Sequence, residues 1–128
     1  MSIDRRILIA DDDAAVRVGA AELMSQLGLE VLEAESGEEA LAIVRRAQLH
    51  IALLDMHMPG PSGMEVFAAI RAETPGVPCI FWSGDATEDI ARYVLRLGAS
   101  AFLRKPVPAE VLRGEVRRVL EHHWGAAG

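Results

Sequence analysis

The chain alternates short apolar runs with longer amphipathic segments five times, and no other feature constrains its fold as strongly. This pattern predicts βαβ units, in which parallel strands form one sheet and helices cover both of its faces. The first, third and fourth runs are almost unbroken apolar stretches, as central parallel strands must be. The second run is more polar, so we place it at an edge of the sheet. The predicted strands are residues 6–10, 30–33, 50–54, 77–82 and 101–104.

Helix signals fall between these strands, with a capping residue before each helical stretch and glycine or proline after several of them. Asp13 is a predicted N-cap, and Ser36 with Glu39 has the spacing of a capping box. The predicted helices are residues 14–27, 37–47, 63–72, 87–97 and 108–124.

Length and composition favour one ordinary globular domain. The chain has 128 residues, of which 51% are hydrophobic and 25% charged, so we predict a single domain over residues 1–128 with its core at about 6–120. Residues 125–128 are interpreted as a frayed end or the start of a linker. No apolar run approaches the roughly 18 residues that span a bilayer, and no signal peptide is evident. We therefore expect a cytoplasmic protein without membrane association.

Charge and cysteine content argue against nucleic-acid-binding and disulfide-bonded classes of protein. Lysine and arginine total 13 against 19 acidic residues, for a net charge of −6, which disfavours direct binding to nucleic acid. The single cysteine, Cys79, cannot form an internal disulfide and is predicted to be a buried strand residue. His122 and His123, near the end of the last helix, are interpreted as solvated rather than metal-binding.

Charged side chains follow the apolar runs at the points where the strands end. Asp11 and Asp12 come after the first run, Asp55 after the third and Lys105 shortly after the fifth. Because the carboxyl ends of parallel strands converge on one crevice, these side chains are predicted to share a pocket. Neighbouring carboxylates resist ionisation together, so a divalent cation would stabilise the group.

These positions, in order and at this spacing, resemble the receiver domain of two-component response regulators. The residues that carry the resemblance are Asp11-Asp12, Asp55, Ser83 and Lys105-Pro106, with the loop Met56-His57-Met58-Pro59-Gly60 after Asp55. The resemblance covers residues 6 to about 120. It implies a doubly wound α/β fold of the flavodoxin-like (βα)5 type, with a five-stranded parallel sheet of order 2-1-3-4-5.

The resemblance also implies a phosphorylation site and a metal site. Asp55 would accept a phosphoryl group from a phosphohistidine, in a reaction that depends on Mg2+, for which Mn2+ can substitute. Asp12 and Asp55 would ligate the metal directly and Asp11 through a water. The backbone carbonyl of His57 would complete the protein ligands, and oxygen donors of this kind are those that Mg2+ prefers.

Three further residues are implied to bind the phosphoryl oxygens. Lys105 would pair with one of them, and with Asp55 before phosphorylation, and its bond to Pro106 would be cis. The Ser83 hydroxyl and the backbone N–H of Gly84 would donate to the others.

The implied function is a signalling switch and not an enzyme that turns over an external substrate. Ser83 and Phe102 would act as switch residues, and output would pass through the surface of helix 4, strand 5 and helix 5, which is also a candidate homodimer contact. The implied partners are a sensor histidine kinase or histidine phosphotransfer protein, and an effector domain or downstream protein. We further hypothesise that His57 and Asp85 tune the phosphoryl lifetime.

Three other interpretations compete with this one. A haloacid dehalogenase-type phosphatase would require an aspartate at position 57, where this chain has His57. A flavin carrier would require a hydroxyl- and glycine-rich phosphate loop after strand one, where Asp11, Asp12 and Asp13 would repel a phosphate. The remaining alternative is a receiver-like interaction module that works without phosphorylation; such modules usually lack one of the site residues, and this chain has them all.

Overall fold

Five parallel strands and five helices alternate along residues 4–125, the part of the chain that the computed structural model describes. The sheet order is β2-β1-β3-β4-β5, so the predicted topology is confirmed and β2 lies at an edge. The strands are β1 (Arg6–Ala10), β2 (Glu30–Ala34), β3 (Ile51–Asp55), β4 (Cys79–Ser83) and β5 (Ala101–Arg104). The helices are α1 (Ala14–Gln26), α2 (Gly37–Arg46), α3 (Gly63–Glu73), α4 (Glu88–Arg96) and α5 (Ala109–Trp124).

The predicted bounds of β1 are confirmed, whereas those of β3 and β4 were wrong by one or two residues. β4 begins at Cys79 because the preceding Pro78 has no N–H for the ladder, although its carbonyl accepts a hydrogen bond from Ala52 N–H at 3.0 Å. At the other end, Asp55 and Ser83 are the last residues of β3 and β4 instead of following them. Pro108 precedes α5 as its N-cap residue instead of lying in its first turn.

Alternate strand residues face the two helical layers, as expected for a sheet covered on both sides. One hydrophobic cluster joins Leu8, Leu54 and Phe81 to helices α2, α3 and α4. The other joins residues of opposite parity, such as Leu53 and Ile80, to α1 and α5. Asp55 has the parity of Leu53, so its side chain emerges on the α1 and α5 side of the sheet.

The predicted caps form. The Asp13 carboxylate accepts hydrogen bonds from backbone N–H groups in the first turn of α1, at 3.0 and 3.2 Å. Ser36 Oγ accepts from Glu39 N–H at 3.2 Å, while the Glu39 carboxylate accepts from the backbone N–H of Glu35 and not from that of the cap residue. Gly28 follows α1 with a φ of 83°, a conformation that a side chain disfavours.

Within residues 4–125, none of the helices combines the length and the apolar character that a membrane span requires. Cys79 is buried, as predicted, and burial raises the pKa of its thiol to about 12. His122 and His123 are both exposed in the last turn of α5. Of the predicted tail, Gly125 ends the described part of the chain, and residues 126–128 lie outside it.

Candidate functional site

Three carboxylates meet at the carboxyl edge of the sheet. Asp11 and Asp12 follow β1 and Asp55 ends the neighbouring β3, and one carboxylate oxygen from each lies within 4.8 Å of the other two. Asp11 and Asp55 are buried, whereas Asp12 is exposed. We call these three residues the acidic cluster. Its position is the one at which open parallel sheets place their ligand sites.

Lys105 supplies the cluster with its counter-charge. Its Nζ lies 2.5 Å from Asp11 Oδ2 and 3.3 Å from Asp55 Oδ1. Its backbone N–H donates to the Ser83 carbonyl at 2.9 Å, and its peptide bond to Pro106 is cis. The shorter ion pair is with Asp11, whereas the family resemblance implied a pair with Asp55. Asp11 is completely buried, so its carboxylate needs a partner most.

Burial and the neighbouring charges act in opposite directions on the pKa values of Asp55 and Lys105. Burial raises the pKa of Asp55 and the neighbouring Asp11 raises it further, while the ammonium of Lys105 acts in the opposite direction. For Lys105, burial lowers the pKa, but hydrogen bonds and charge interactions with Asp11 and Asp55 outweigh it and the pKa is raised overall. One ammonium therefore does not neutralise the cluster, and added positive charge would stabilise it.

The donor set suits Mg2+. Asp11, Asp12 and Asp55 present hard carboxylate oxygens, the ligand type that this ion prefers, and exposed Asp12 leaves the site open to solvent for further ligands. His57, whose backbone carbonyl was predicted as a ligand, lies in the exposed loop two residues after Asp55. Burial raises the pKa of Asp55 overall, and the His57 backbone acts on it in the opposite direction, as expected for a loop that runs beside this carboxylate.

Two glycines set the path of that loop. A Cβ on Gly63 would lie 2.0 Å from the Asp55 carbonyl oxygen, and one on Gly37 would lie 1.8 Å from the Pro61 carbonyl oxygen. Gly37 N–H also donates to the Pro59 carbonyl at 3.1 Å. The start of α2 therefore holds the loop after Asp55 by direct backbone contact, a role that sequence reasoning missed for Gly37.

Ser83 is buried at the end of β4, but its hydroxyl is engaged elsewhere. Ser83 Oγ donates to Asp85 Oδ1 at 3.0 Å, and the same carboxylate oxygen lies 3.3 Å from His57 Nε2. Gly84, predicted to donate its N–H to a phosphoryl oxygen, is exposed between Ser83 and Asp85. Ser83, Asp85 and His57 thus form a connected chain along the rim of the crevice, which sequence reasoning did not anticipate as a set of contacts.

Phe102 lies away from the acidic cluster, on β5. Its ring is half-buried against the hydrophobic cluster that contains Phe81, and the Arg104 guanidinium carbon lies 5.6 Å from the ring centroid. Arg104 in turn pairs with Glu88 of α4 at 2.7 Å. Phe102 therefore links the sheet to the outer surface of α4 and β5.

Two contacts around the acidic cluster were missed, one to Asp11 and one to Lys105. Arg17 Nη1 of α1 donates to the Asp11 carbonyl at 2.8 Å. Lys105 Nζ lies over the Trp82 ring, 5.0 Å from its centroid. The sequence held one signal for the second contact. Trp82 stands directly before Ser83, at the end of an apolar strand.

The sequence and the fold both match known proteins. Residues 7–117 match the family described as the response regulator receiver domain. The chain is 36% identical to the transcriptional activator protein ExaE of Pseudomonas putida, over 91% of this chain and 56% of that protein. It is 33% identical to the CAI-1 autoinducer sensor kinase/phosphatase CqsS of Vibrio cholerae, over 88% of this chain and 17% of that protein.

Among solved structures, the receiver domain protein (CheY-like) of Methanospirillum hungatei JF-1 superposes with a TM-score of 0.89 at 29% identity, covering 94% of this chain and 97% of that one. The chain spans little more than half of ExaE and a smaller share of CqsS. Its own match to the family extends over nearly all of β1 to α5. The chain therefore belongs to the receiver domain family of two-component response regulators, whose members act as signalling switches.

Proposed function

We propose that this domain is the phosphoacceptor of a two-component phosphorelay, with Asp55 as the phosphorylated residue. The observation that carries the proposal is the acidic cluster with Lys105 beside it: Asp55 has two further carboxylates within 4.8 Å and an ammonium at 3.3 Å. A lone surface aspartate would need no such surroundings. The donor of the phosphoryl group would be a phosphohistidine on a sensor kinase or a histidine phosphotransfer protein.

Phosphoryl transfer needs positioning and charge compensation more than covalent assistance. An Asp55 carboxylate oxygen attacks phosphorus, the phosphorus–nitrogen bond of the phosphohistidine breaks, and its electron pair returns to the imidazole. Mg2+ held by Asp12 and Asp55, by Asp11 through a water and by the His57 carbonyl would supply positive charge to the transferring oxygens. Mn2+, which accepts the same ligands, would substitute.

The remaining site residues bind the phosphoryl group itself. Lys105 exchanges its contact with Asp11 for one with a phosphoryl oxygen, which its long side chain allows without movement of the backbone. Ser83 leaves Asp85 and donates its hydroxyl to a second oxygen, assisted by the Gly84 N–H. Loss of the group follows when water attacks phosphorus and the bond to the Asp55 oxygen breaks, which releases inorganic phosphate and restores the Asp55 carboxylate. In this proposal the domain turns over no external substrate.

Output would pass through the surface formed by α4, β5 and α5. Movement of Ser83 toward the phosphoryl group vacates space near β5, into which the half-buried Phe102 ring turns. Ile90 and Tyr93 of α4 are exposed on this part of the molecule and are available to an effector domain, a downstream protein or a second copy. Phosphorylation then biases two pre-existing arrangements of the surface.

One experiment distinguishes this proposal from its competitor, a receiver-like module that does not use phosphorylation. The purified chain is incubated with Mg2+ and acetyl phosphate, and its intact mass is measured. We expect one phosphoryl adduct on the wild type, none on Asp55→Asn, and an unchanged adduct on Asp13→Asn, because Asp13 caps α1 and asparagine caps helices equally well. A wild type without an adduct would favour the interaction module.

A further inference from the structure

Trp82 occupies the position beside the phosphoacceptor on the sheet. In the ladder between β3 and β4, Trp82 is the register partner of Asp55. Register partners in a parallel sheet project to the same face, so the indole and the carboxylate emerge side by side. Trp82 is 3% exposed and packs in the cluster that contains Leu53 and Ile80. The body of the ring is therefore fixed by the core while one side of it borders the site.

The Lys105 ammonium contacts this ring. Lys105 Nζ lies 5.0 Å from the centroid of the Trp82 ring, within the range of a cation–π interaction, of which tryptophan is the best acceptor. The same nitrogen is 2.5 Å from Asp11 and 3.3 Å from Asp55. The ammonium thus has two carboxylate contacts and one aromatic contact, and the side chain is 19% exposed, which limits screening by water.

Core packing alone does not account for an indole at this position. Trp82 Nε1 is buried and has no hydrogen-bond partner among residues 4–125. A buried N–H without a partner is destabilising, and an aliphatic or phenyl side chain would fill the core without that penalty. The indole does offer one thing that those side chains lack or offer weakly, namely an electron-rich face for the ammonium.

We propose that Trp82 is a positioning residue that holds the Lys105 ammonium over Asp55 while the carboxylates around it change partners. The part that concerns phosphoryl capture rests on the proposed function. Binding of a metal and of a phosphoryl group engages Asp11 and Asp55, which are the two charged contacts of Lys105. The indole binds neither the metal nor the phosphoryl group, so its contact with Lys105 persists while the carboxylates change partners. This contact keeps the ammonium from moving into solvent.

The first test needs no phosphoryl donor and no metal. Trp124, the other tryptophan of the chain, is replaced in Trp124→Phe, so that emission reports Trp82 alone. We expect Lys105→Gln, which removes the charge, to shift the emission maximum or the quantum yield, and Lys105→Arg, which retains a cation, to keep most of the wild-type spectrum. Identical spectra for Lys105→Gln and its parent, with both proteins folded by circular dichroism, would overturn the contact.

The second test measures capture of phosphoryl from acetyl phosphate with Mg2+. We expect Trp82→Leu to slow capture by about three- to tenfold, the effect of losing a partly desolvated cation–π contact, and Trp82→Phe to recover part of the rate. In a Lys105→Gln background, Trp82→Leu should have no further effect, because the ring then has no ammonium to hold.

An equal loss in both backgrounds, or Trp82→Phe no faster than Trp82→Leu, would assign Trp82 a purely structural role and overturn the proposal. A wild type that captures no phosphoryl group contradicts the proposed function instead, and the emission test still decides whether the indole holds the ammonium.

Discussion

The hydroxyl of Ser83 donates a hydrogen bond to the carboxylate of Asp85 at 3.0 Å, which directs the proposed switch residue to the rim of the crevice instead of toward Asp55. Asp85 itself contacts His57 Nε2 at 3.3 Å. Ser83 must therefore give up one hydrogen bond before it can make another to a phosphoryl oxygen. The energy of that bond sets how readily the switch engages.

We predict that Asp85→Ala lengthens the phosphoryl lifetime by about two- to tenfold, the equivalent of one net hydrogen bond. Without the Asp85 carboxylate, the Ser83 hydroxyl is free to bind the phosphoryl group. His57→Ala should act in the same direction with a smaller effect, because it only loosens Asp85. The measurement is the decay of the phosphorylated protein after removal of acetyl phosphate.

Asp85→Asn is the matched control for this experiment. Its amide oxygen still accepts from Ser83, so the lifetime should stay near that of the wild type. Unchanged decay rates in both Asp85→Ala and His57→Ala would remove the idea that this chain of contacts tunes the lifetime.

Ionisation of Asp55 should lower the stability of the folded protein when no metal is bound. Burial and Asp11 raise the pKa of Asp55 in the folded protein, so the folded state binds its proton more tightly than the unfolded state does. Stability from this group therefore falls as pH rises through the folded pKa, and at neutral pH the ionised carboxylate is destabilising. We predict that Asp55→Asn has a higher urea midpoint than the wild type at neutral pH in EDTA.

Added Mg2+ should narrow this difference, since a ligand that binds only the folded state stabilises the wild type. The difference should also shrink as pH falls below the ordinary pKa of aspartate. A wild type more stable than Asp55→Asn in EDTA at neutral pH would show that the cluster is not strained.

His50 should give folding stability a second pH dependence, opposite in sign to that of Asp55. Its Nδ1 accepts the Arg6 backbone N–H at 3.1 Å, and burial, with the charges of Arg5 and Arg6, lowers its pKa in the folded state. The unfolded state therefore takes up the proton first as pH falls below about 6.5. Stability should decrease from there and level off below the folded pKa.

His50→Asn isolates this effect, because the asparagine side-chain oxygen can accept the same N–H but does not titrate in this range. Urea unfolding between about pH 8 and pH 5 should show a steeper loss for the wild type than for the variant. Parallel curves would mean that His50 does not contribute.

Gly37 and Gly114 should respond to alanine in opposite directions. At Gly37 the new Cβ would meet the Pro61 carbonyl oxygen at 1.8 Å, so backbone must shift and we expect a loss of about 1–3 kcal/mol. At Gly114, within α5, a Cβ meets nothing in the described structure within 4 Å, and we expect a gain of about 0.5–1 kcal/mol from helix propensity. Chemical denaturation measures both, and a neutral Gly37→Ala would contradict the contact.

How far the sequence could be interpreted depended on the range of the interactions involved. The alternation of apolar runs predicted a parallel sheet, and caps such as Asp13 located the helix starts, because periodicity and capping are local. The order of the strands was implied by the family resemblance and not by the alternation. Strand bounds shifted because Pro78 and the ladder, not hydrophobicity, decide where pairing begins. The convergence of Asp11, Asp12 and Asp55 followed from topology once the strands were parallel.

The features that the sequence did not predict are side-chain and backbone contacts for which residue spacing carries no signal. Lys105 pairs most closely with Asp11, 94 positions away, because complete burial of that carboxylate requires a counter-charge. The Ser83–Asp85 bond depends on a rotamer, and the clash that Gly37 avoids depends on where the loop of Pro61 crosses α2. None of these can be derived from residue type and order alone.

The central claim, that carboxylates from separate strands hold one Mg2+ beside Asp55, is tested most directly by calorimetric titration of Mg2+ into the purified domain. Asp12 is exposed, so Asp12→Asn removes a ligand without disturbing the core, and Asp13→Asn is its matched neighbour. The account predicts uptake of one ion by the wild type and by Asp13→Asn, and loss of uptake in Asp12→Asn. A wild type that takes up no Mg2+, or an Asp12→Asn variant that binds it as tightly as the wild type, would contradict the account.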